Sequence, residues 1–142
     1  MIEQTTLVLK NNVTELEKVM SFISSLCARN SISPEIEYDL NLALDEVISN
    51  IVRHAFPDGQ EHTFTVNLSL NDQEFVARIE DEGVEFDPTQ HQAPDLNAPL
   101  EERKLGGLGI HLVRQIMDGM EYDRVAGKNL LTLRKKWTKS TP

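Results

Sequence analysis

Cysteine is almost absent from the sequence. The single thiol, Cys27, excludes an internal disulfide and fits a reducing compartment. It falls in an apolar-periodic stretch, where a lone cysteine reads as a buried, inert filler. No apolar run approaches the ~20 residues needed to cross a bilayer, and nothing resembles a signal peptide. The expectation is a cytoplasmic chain with no membrane partner. Positive charge is scarce too: 14 Lys and Arg face 23 Asp and Glu, for a net charge of −9 at pH 7. Such a surface repels nucleic acid unless a local basic patch overrides it. The one basic cluster, Arg134, Lys135, Lys136 and Lys139 around Leu133 and Trp137, reads as the solvated end of a last strand, so no direct nucleic-acid contact is expected. Repeats, low-complexity tracts and linkers are also missing. The 142 residues therefore suit one domain, 1–142, with a real core.

Hydrophobic periodicity orders what is present. Thr5–Lys10 alternates as a strand that Asn11-Asn12 ends. Thr14 followed by Glu17 reads as a capping box. The helix behind it carries Leu16, Val19, Met20, Ile23, Leu26 and Cys27 and ends near Asn30. Ser33 and Pro34 offer the N-cap and first position of a second helix, running to about Ala55. Phe56-Pro57-Asp58-Gly59 stops it. Thr63–Leu70 and Glu74–Glu80 alternate as strands around an Asn71-Asp72 turn. Residues 81–105 carry little periodicity and include Pro88, Pro94 and Pro99, which reads as a lid, a binding loop or a disordered segment. "KLGGLGIHLVRQIMDGM", residues 104–120, supplies a third helix with Ile110, Val113, Met117 and Met120 on a face widened by Leu112 and Ile116. Tyr122–Val125 and Leu130–Trp137 close as a hairpin turning at Ala126-Gly127-Lys128-Asn129. Blocks of strands and helices joined by tight turns predict an α+β fold. It is a two-layer α/β sandwich whose mostly antiparallel sheet is covered on one face by helices.

Three segments carry chemistry. On the second helix Glu46, Asn50 and His54 recur every four residues, along a flank bordering the apolar stripe of Ile36, Leu40, Leu44, Val47, Ile48 and Ile51. An amide oxygen there suffices for Mg2+, which keeps waters and substrate phosphates as its other ligands. A carboxylate one turn earlier can accept a hydroxyl proton. The bland alternative is a solvent-facing polar stripe. In "RIEDEGVEFDP" a strand runs into Asp81, which can accept from an amine such as the N6 of adenine, while Gly83 lets backbone approach a flat ring. The alternative is a plain Asp-Gly turn. In "GGLGIHLVRQ", Gly106, Gly107 and Gly109 sit where a helix begins. Glycine costs about 1 kcal/mol relative to alanine inside a helix. Amides converging on an anion at a helix N-terminus would justify that cost, with Arg103 and Lys104 adding positive charge. A flexible hinge is the alternative. Neither the P-loop nor the dinucleotide fingerprint is present. His54 and His111 read as structural, and with Cys27 they make no metal-binding spacing.

In order, helix E-x-x-x-N, strand-end D-x-G, a long loop, then G-G-x-G opening a helix resemble the GHKL ATPase superfamily, which includes histidine kinases and type II topoisomerases. The segments "NIVRHAF", "DEGVEFDP" and "GGLGIHLVRQIMDGMEYDRVAGKNLLTLRK" most resemble the bacterial anti-sigma-factor serine/threonine kinases, over about residues 5–137. The resemblance implies the Bergerat-type ATP-binding fold and the cofactors ATP and Mg2+. Glu46 would be the general base and Asn50 the metal holder. Asp81 and Gly83 would read adenine, and Thr132 would lie near it. Gly106, Gly107, Leu108 and Gly109 would surround the phosphates. Arg103 would contact the γ-phosphate, with Lys104 as the other candidate. Residues 84–105 would form the ATP lid. Glu85 stands where much of the superfamily has the second glycine of D-x-G-x-G. The implied partners are a sigma factor and a STAS-domain anti-anti-sigma protein, and a homodimer is implied as well. The other function open at this point is nucleotide-dependent sequestration without kinase activity.

Overall fold

The structure is a computed structural model that describes residues 2–90 and 107–139. Five strands form one antiparallel sheet: β1 (Glu3–Lys10), β2 (Thr63–Leu70), β3 (Glu74–Asp81), β4 (Gly119–Val125) and β5 (Lys128–Lys136), in the order β1-β2-β3-β5-β4. Three helices accompany it: α1 (Leu16–Asn30), α2 (Pro34–His54) and α3 (Gly107–Ile116). The expected α+β order and antiparallel sheet are what is found.

Period-2 patterning explains the two-layer build. Phe64, Val66, Leu68 and Leu70 of β2 are buried, while the residues between them are not. They share one core with Leu9 of β1, Phe75, Ala77 and Ile79 of β3, and Leu131 and Leu133 of β5. The helices complete that core with Val19, Ile23 and Leu26 from α1, Leu40, Leu44, Val47, Ile48 and Ile51 from α2, and Val113 from α3. Burying each such side chain is worth about 1.5–3 kcal/mol. The helices are therefore held to the sheet by their apolar stripes rather than by helix propensity.

Local signals set the element ends. Ser33 and Pro34 open α2 as expected, although the Ser33 side chain makes no cap hydrogen bond. The capping box at Thr14 is not formed. Asn12 is the capping residue instead, its Oδ1 accepting from the Thr14 amide and hydroxyl, both at 3.0 Å, ahead of a short 3-10 turn over Val13–Glu15. α1 stops at Ser31, whose φ of 54° is left-handed, with the Ile32 amide returning to the Cys27 carbonyl at 3.0 Å. The third helix is shorter than its periodicity implies. It ends at Ile116, where Lys135 Nζ donates to the last carbonyl at 2.5 Å, and Met120 belongs to β4. The last hairpin turns on two residues only, Ala126 (φ 52°) and Gly127 (φ 78°), the twist-matched geometry for a two-residue loop. Lys128 and Asn129 are thereby moved out of the expected turn and into β5.

Cys27 is 1% exposed. Burial first, and then the Glu37 carboxylate beside it, push its thiol up to about 12 from the ordinary 9.0. The thiolate is absent at neutral pH, so the native protein should react with a thiol-specific chromogenic reagent at pH 8 far more slowly than the urea-unfolded chain. Equal rates in the two states would contradict the buried placement.

Candidate functional site

A cleft of about 260 Å³ opens between α2 and the β3–β5–β4 end of the sheet. Its apolar walls are Val47 and Ile51 of α2, Ile79 of β3, Ile110 of α3 and Leu131 of β5. Its polar groups are Asn50, His54, Asp81, Glu85, Tyr122 and Asn129. Apolar walls with a few convergent polar groups are the usual build of a small-molecule pocket.

All three sequence segments reach this cleft, with Asn50 from α2, Asp81 from the end of β3 and Ile110 from α3. Asn50 sits one turn along α2 from Glu46, and both follow from the four-residue spacing. Glu46 lies against α3: a Cβ at Gly109 would collide with its carboxylate, Oε2 first and then Cδ at 2.9 Å. Gly109 is therefore glycine because a carboxylate from α2 occupies the space of its missing side chain. Gly107 is the first residue of α3, and Leu108 follows within it. His54, read from sequence as structural, is exposed and lines the cleft.

Asp81 ends β3 and is 6% exposed. Its Oδ1 accepts from the Gly83 amide at 2.9 Å and from Asn129 Nδ2 at 3.0 Å. Among the described residues no donor reaches Oδ2, which leaves an acceptor on the cleft side. Gly83 is confined by α2: a Cβ there would stand 2.5 Å from the Ala55 carbonyl oxygen and 2.6 Å from the Ala55 Cβ. The same carbonyl accepts from the Val84 amide at 2.9 Å, so the chain leaving β3 is pinned to the C-terminal end of α2.

Asn129 is the residue that sequence reasoning missed. It is 6% exposed and uses both ends of its amide. Nδ2 donates to Asp81 Oδ1 and to the Val84 carbonyl at 2.8 Å. Oδ1 accepts from Tyr122 Oη at 2.6 Å, Arg124 at 3.0 Å and the Phe86 amide at 3.4 Å. The available signal was period 2, since Asn129 stands two residues before Leu131 and four before Leu133 and so shares their face. Burial raises the Tyr122 phenol above its ordinary value, and the Glu85 charge adds to this against an opposing Arg124. The phenol therefore stays protonated at neutral pH and able to donate.

Thr132 is not brought into the cleft. It alternates with Leu131 and Leu133, which face the core, and lies in register with Arg78 and Glu121 on the sheet's other side. Asn129 and Leu131 line the cleft from β5 instead. Arg103, Lys104 and Gly106 lie outside the described residues, as does the lid expected at 84–105 beyond residue 90. Of its first part, Val84, Glu85, Phe86 and Pro88 line the cleft, and a short 3-10 turn spans Pro88–Gln90.

The two confined glycines should respond differently to alanine. The methyl of Gly83→Ala meets fixed backbone, and the variant should lose about 1–3 kcal/mol of stability. The methyl of Gly109→Ala meets the end of a flexible side chain, and helix propensity repays up to about 1 kcal/mol. Its urea midpoint should stay near that of the wild type while Glu46 is displaced. Equal losses in the two unfolding curves would contradict these contacts.

A model of the histidine kinase-like ATPase domain matches residues 9–135. The serine/threonine-protein kinase BtrW of Bordetella bronchiseptica is 33% identical over 128 residues, 90% of each chain. The serine-protein kinase RsbW of Listeria monocytogenes is 31% identical over 103 residues, 70% of this chain and 66% of its own. Among solved structures, the RsbU and RsbW domains of a Mycobacterium tuberculosis protein align with a TM-score of 0.70 over 97% of this chain and 33% of that one. At 14% identity that likeness speaks for the fold alone. On the family match and these relatives, the chain belongs to the histidine kinase-like ATPase (GHKL) family, in the company of the BtrW and RsbW serine-protein kinases.

Proposed function

We propose that the protein is a Mg-ATP-dependent serine/threonine-protein kinase that acts by partner switching: it sequesters a sigma factor and phosphorylates a STAS-domain antagonist. The observation that carries this reading is the meeting of Asn50, Asp81 and Asn129 in one cleft, with Glu46 held against Gly109 at the start of α3. The kinase relatives support the reaction class.

The donor set fits the nucleotide. The unmatched Asp81 Oδ2 is an acceptor suited to the exocyclic amine of adenine, and Ile79, Ile110 and Leu131 offer a dry surface for its ring. No cluster of three or more His, Cys, Asp or Glu able to hold a metal occurs among the described residues. Mg2+ needs no such cage: the Asn50 amide oxygen would hold it, beside the phosphate oxygens and water that such an ion keeps. Nine residue steps lead along α2 from Glu46 to its C-cap Ala55, a rise of about 13.5 Å. Such a span accommodates a nucleotide stretched from base to terminal phosphate.

On this reading Glu46 accepts the proton of the incoming serine or threonine hydroxyl while its oxygen bonds to the γ-phosphorus and the bond to the departing ADP breaks. The amides at the start of α3, including Gly107 and Gly109, stabilise charge on the transferring group. The phosphate left on the antagonist breaks its interface by repulsion and desolvation, and so returns the kinase to the sigma factor. We place the protein in the cytoplasm as a single-domain homodimer. In support of the location, no helix among the described residues is long and apolar enough to cross a membrane. A second reading, sequestration without transfer, is favoured by one observation: the Glu85 carboxylate lines the cleft and adds negative charge to a site that must take up an anion.

Labelled ATP, Mg2+ and a STAS-domain partner separate the two. Acid-stable label on the partner supports transfer to serine or threonine; nucleotide binding without label supports sequestration. Glu46→Gln should retain ATP affinity in calorimetry while slowing transfer by about 10²–10⁴-fold. Asn50→Ala should lose the Mg2+-dependent part of nucleotide binding. Unchanged transfer by the Glu46 variant would remove it as the base.

A further inference from the structure

The last two strands carry side chains that the proposed reaction does not use. Arg124 lies on β4, the edge strand, directly across from Asn129 in the β4–β5 register. That register is set by the two-residue turn at Ala126 and Gly127, so Arg124 cannot slide along its partner. One guanidinium nitrogen, Nη1, donates twice at 3.0 Å, to the Gly83 carbonyl and to Asn129 Oδ1. Tyr122, two residues earlier on the same face, gives Asn129 Oδ1 its second side-chain donor.

An asparagine amide has a donor end and an acceptor end of nearly the same shape. Arg124 decides which end faces which way, because a guanidinium can only donate, and the Tyr122 hydroxyl donates to the same oxygen. With Oδ1 drawn to β4, Nδ2 must point at Asp81 Oδ1 and the Val84 carbonyl. Flipped, the amide would set its oxygen 3.0 Å from a carboxylate oxygen and withdraw a donor from both Asp81 Oδ1 and the Val84 carbonyl, an outcome the low local dielectric penalises. Asp81 Oδ1 is then saturated by Gly83 and Asn129, and only Oδ2 is left for a ligand.

We propose that Arg124 is a positioning residue for base recognition. By orienting Asn129 and holding the Gly83 carbonyl, it fixes the Asp81 carboxylate so that one oxygen is presented to the exocyclic amine of an adenine base. Arg124 does not itself line the cleft. The inference rests on the ATP-binding reading of the same site.

The test is calorimetric affinity for ATP and for inosine triphosphate, which lacks the exocyclic amine, in the wild type and in Arg124→Met and Arg124→Lys. The wild type should prefer ATP. Arg124→Met should weaken ATP by roughly tenfold or more while changing inosine triphosphate little, since bonds that orient a charged acceptor are worth more than neutral ones. Arg124→Lys should recover part of the preference, because an ammonium can donate to one of the two oxygens. Equal weakening of both nucleotides, or an unchanged preference, would overturn the proposal by showing Arg124 to be merely structural or dispensable. Should Arg124→Met fail to fold, Tyr122→Phe removes the other donor with its ring retained and should reduce the preference in the same direction; no reduction overturns the proposal. A wild type that binds neither nucleotide overturns the ATP reading itself, whereas a wild type that binds both without preference overturns only base recognition through Asp81.

Discussion

Asp81 and Asn129 are the last Cα partners of the β3–β5 ladder, and their side chains join across it. A carboxylate this deeply buried needs hydrogen-bond partners, and Oδ1 finds them in the Gly83 amide and Asn129 Nδ2. The match requires the sheet to be in register, since a slip of one residue would bring Leu130 opposite Asp81 and turn every β5 side chain to the other face. Sheet pairing and the polar floor of the cleft are therefore one constraint. The apolar pattern of Leu131 and Leu133 sets the same register from the core side, so two independent forces agree on it.

α2 connects this floor to the rest of the site. Its apolar stripe is committed to the sheet, which fixes its rotation about its own axis and leaves Asn50 and His54 along the cleft, with Glu46 one turn before them against Gly109. Two glycines then bring neighbouring segments close to α2. Gly83 lies against the Ala55 backbone and Gly109 against the Glu46 carboxylate. Both rest on close approach rather than on positive φ; the glycines that need positive φ are Gly59 and Gly127.

Much of this was legible in the residues. Period-2 alternation located β2 to the residue, and the Ser33-Pro34 start and Phe56-Pro57 stop bracketed α2, because these signals act within a few residues of chain. The errors share one cause. Met120 continued a helical spacing but was taken by β4, since Lys135, distant in sequence, closes α3 at Ile116. Asn129 resembled a turn residue because Ala-Gly is a less familiar two-residue turn than Asn-Gly, and its partners are 48 residues upstream and on a neighbouring strand. The resemblance implies Thr132 near adenine, but its parity with respect to Leu131 puts it on the opposite face of the sheet. Each required knowledge of pairing across the sheet, which no local window contains.

The cleft also has a direction. At the α2 C-terminus stand Asp81 and Glu85, with Glu82 close by in sequence, and the only cation in ion-pair contact with Glu80 and Glu82 among the described residues is Lys128. At the other end of the span lies the N-terminus of α3, the positive end of a helix dipole. A polyanion that inserted phosphates first toward Asp81 would meet two carboxylates across apolar walls, where screening is weak. Inserted base first, the neutral ring meets the acidic end and the charge meets the positive helix end. The acidity of the chain thus works as orientation on the proposed reading. Glu85, the departure from the family's second glycine, strengthens that bias at the end where a base belongs, and it weakens overall anion affinity only to the extent that its charge reaches the far end of the cleft.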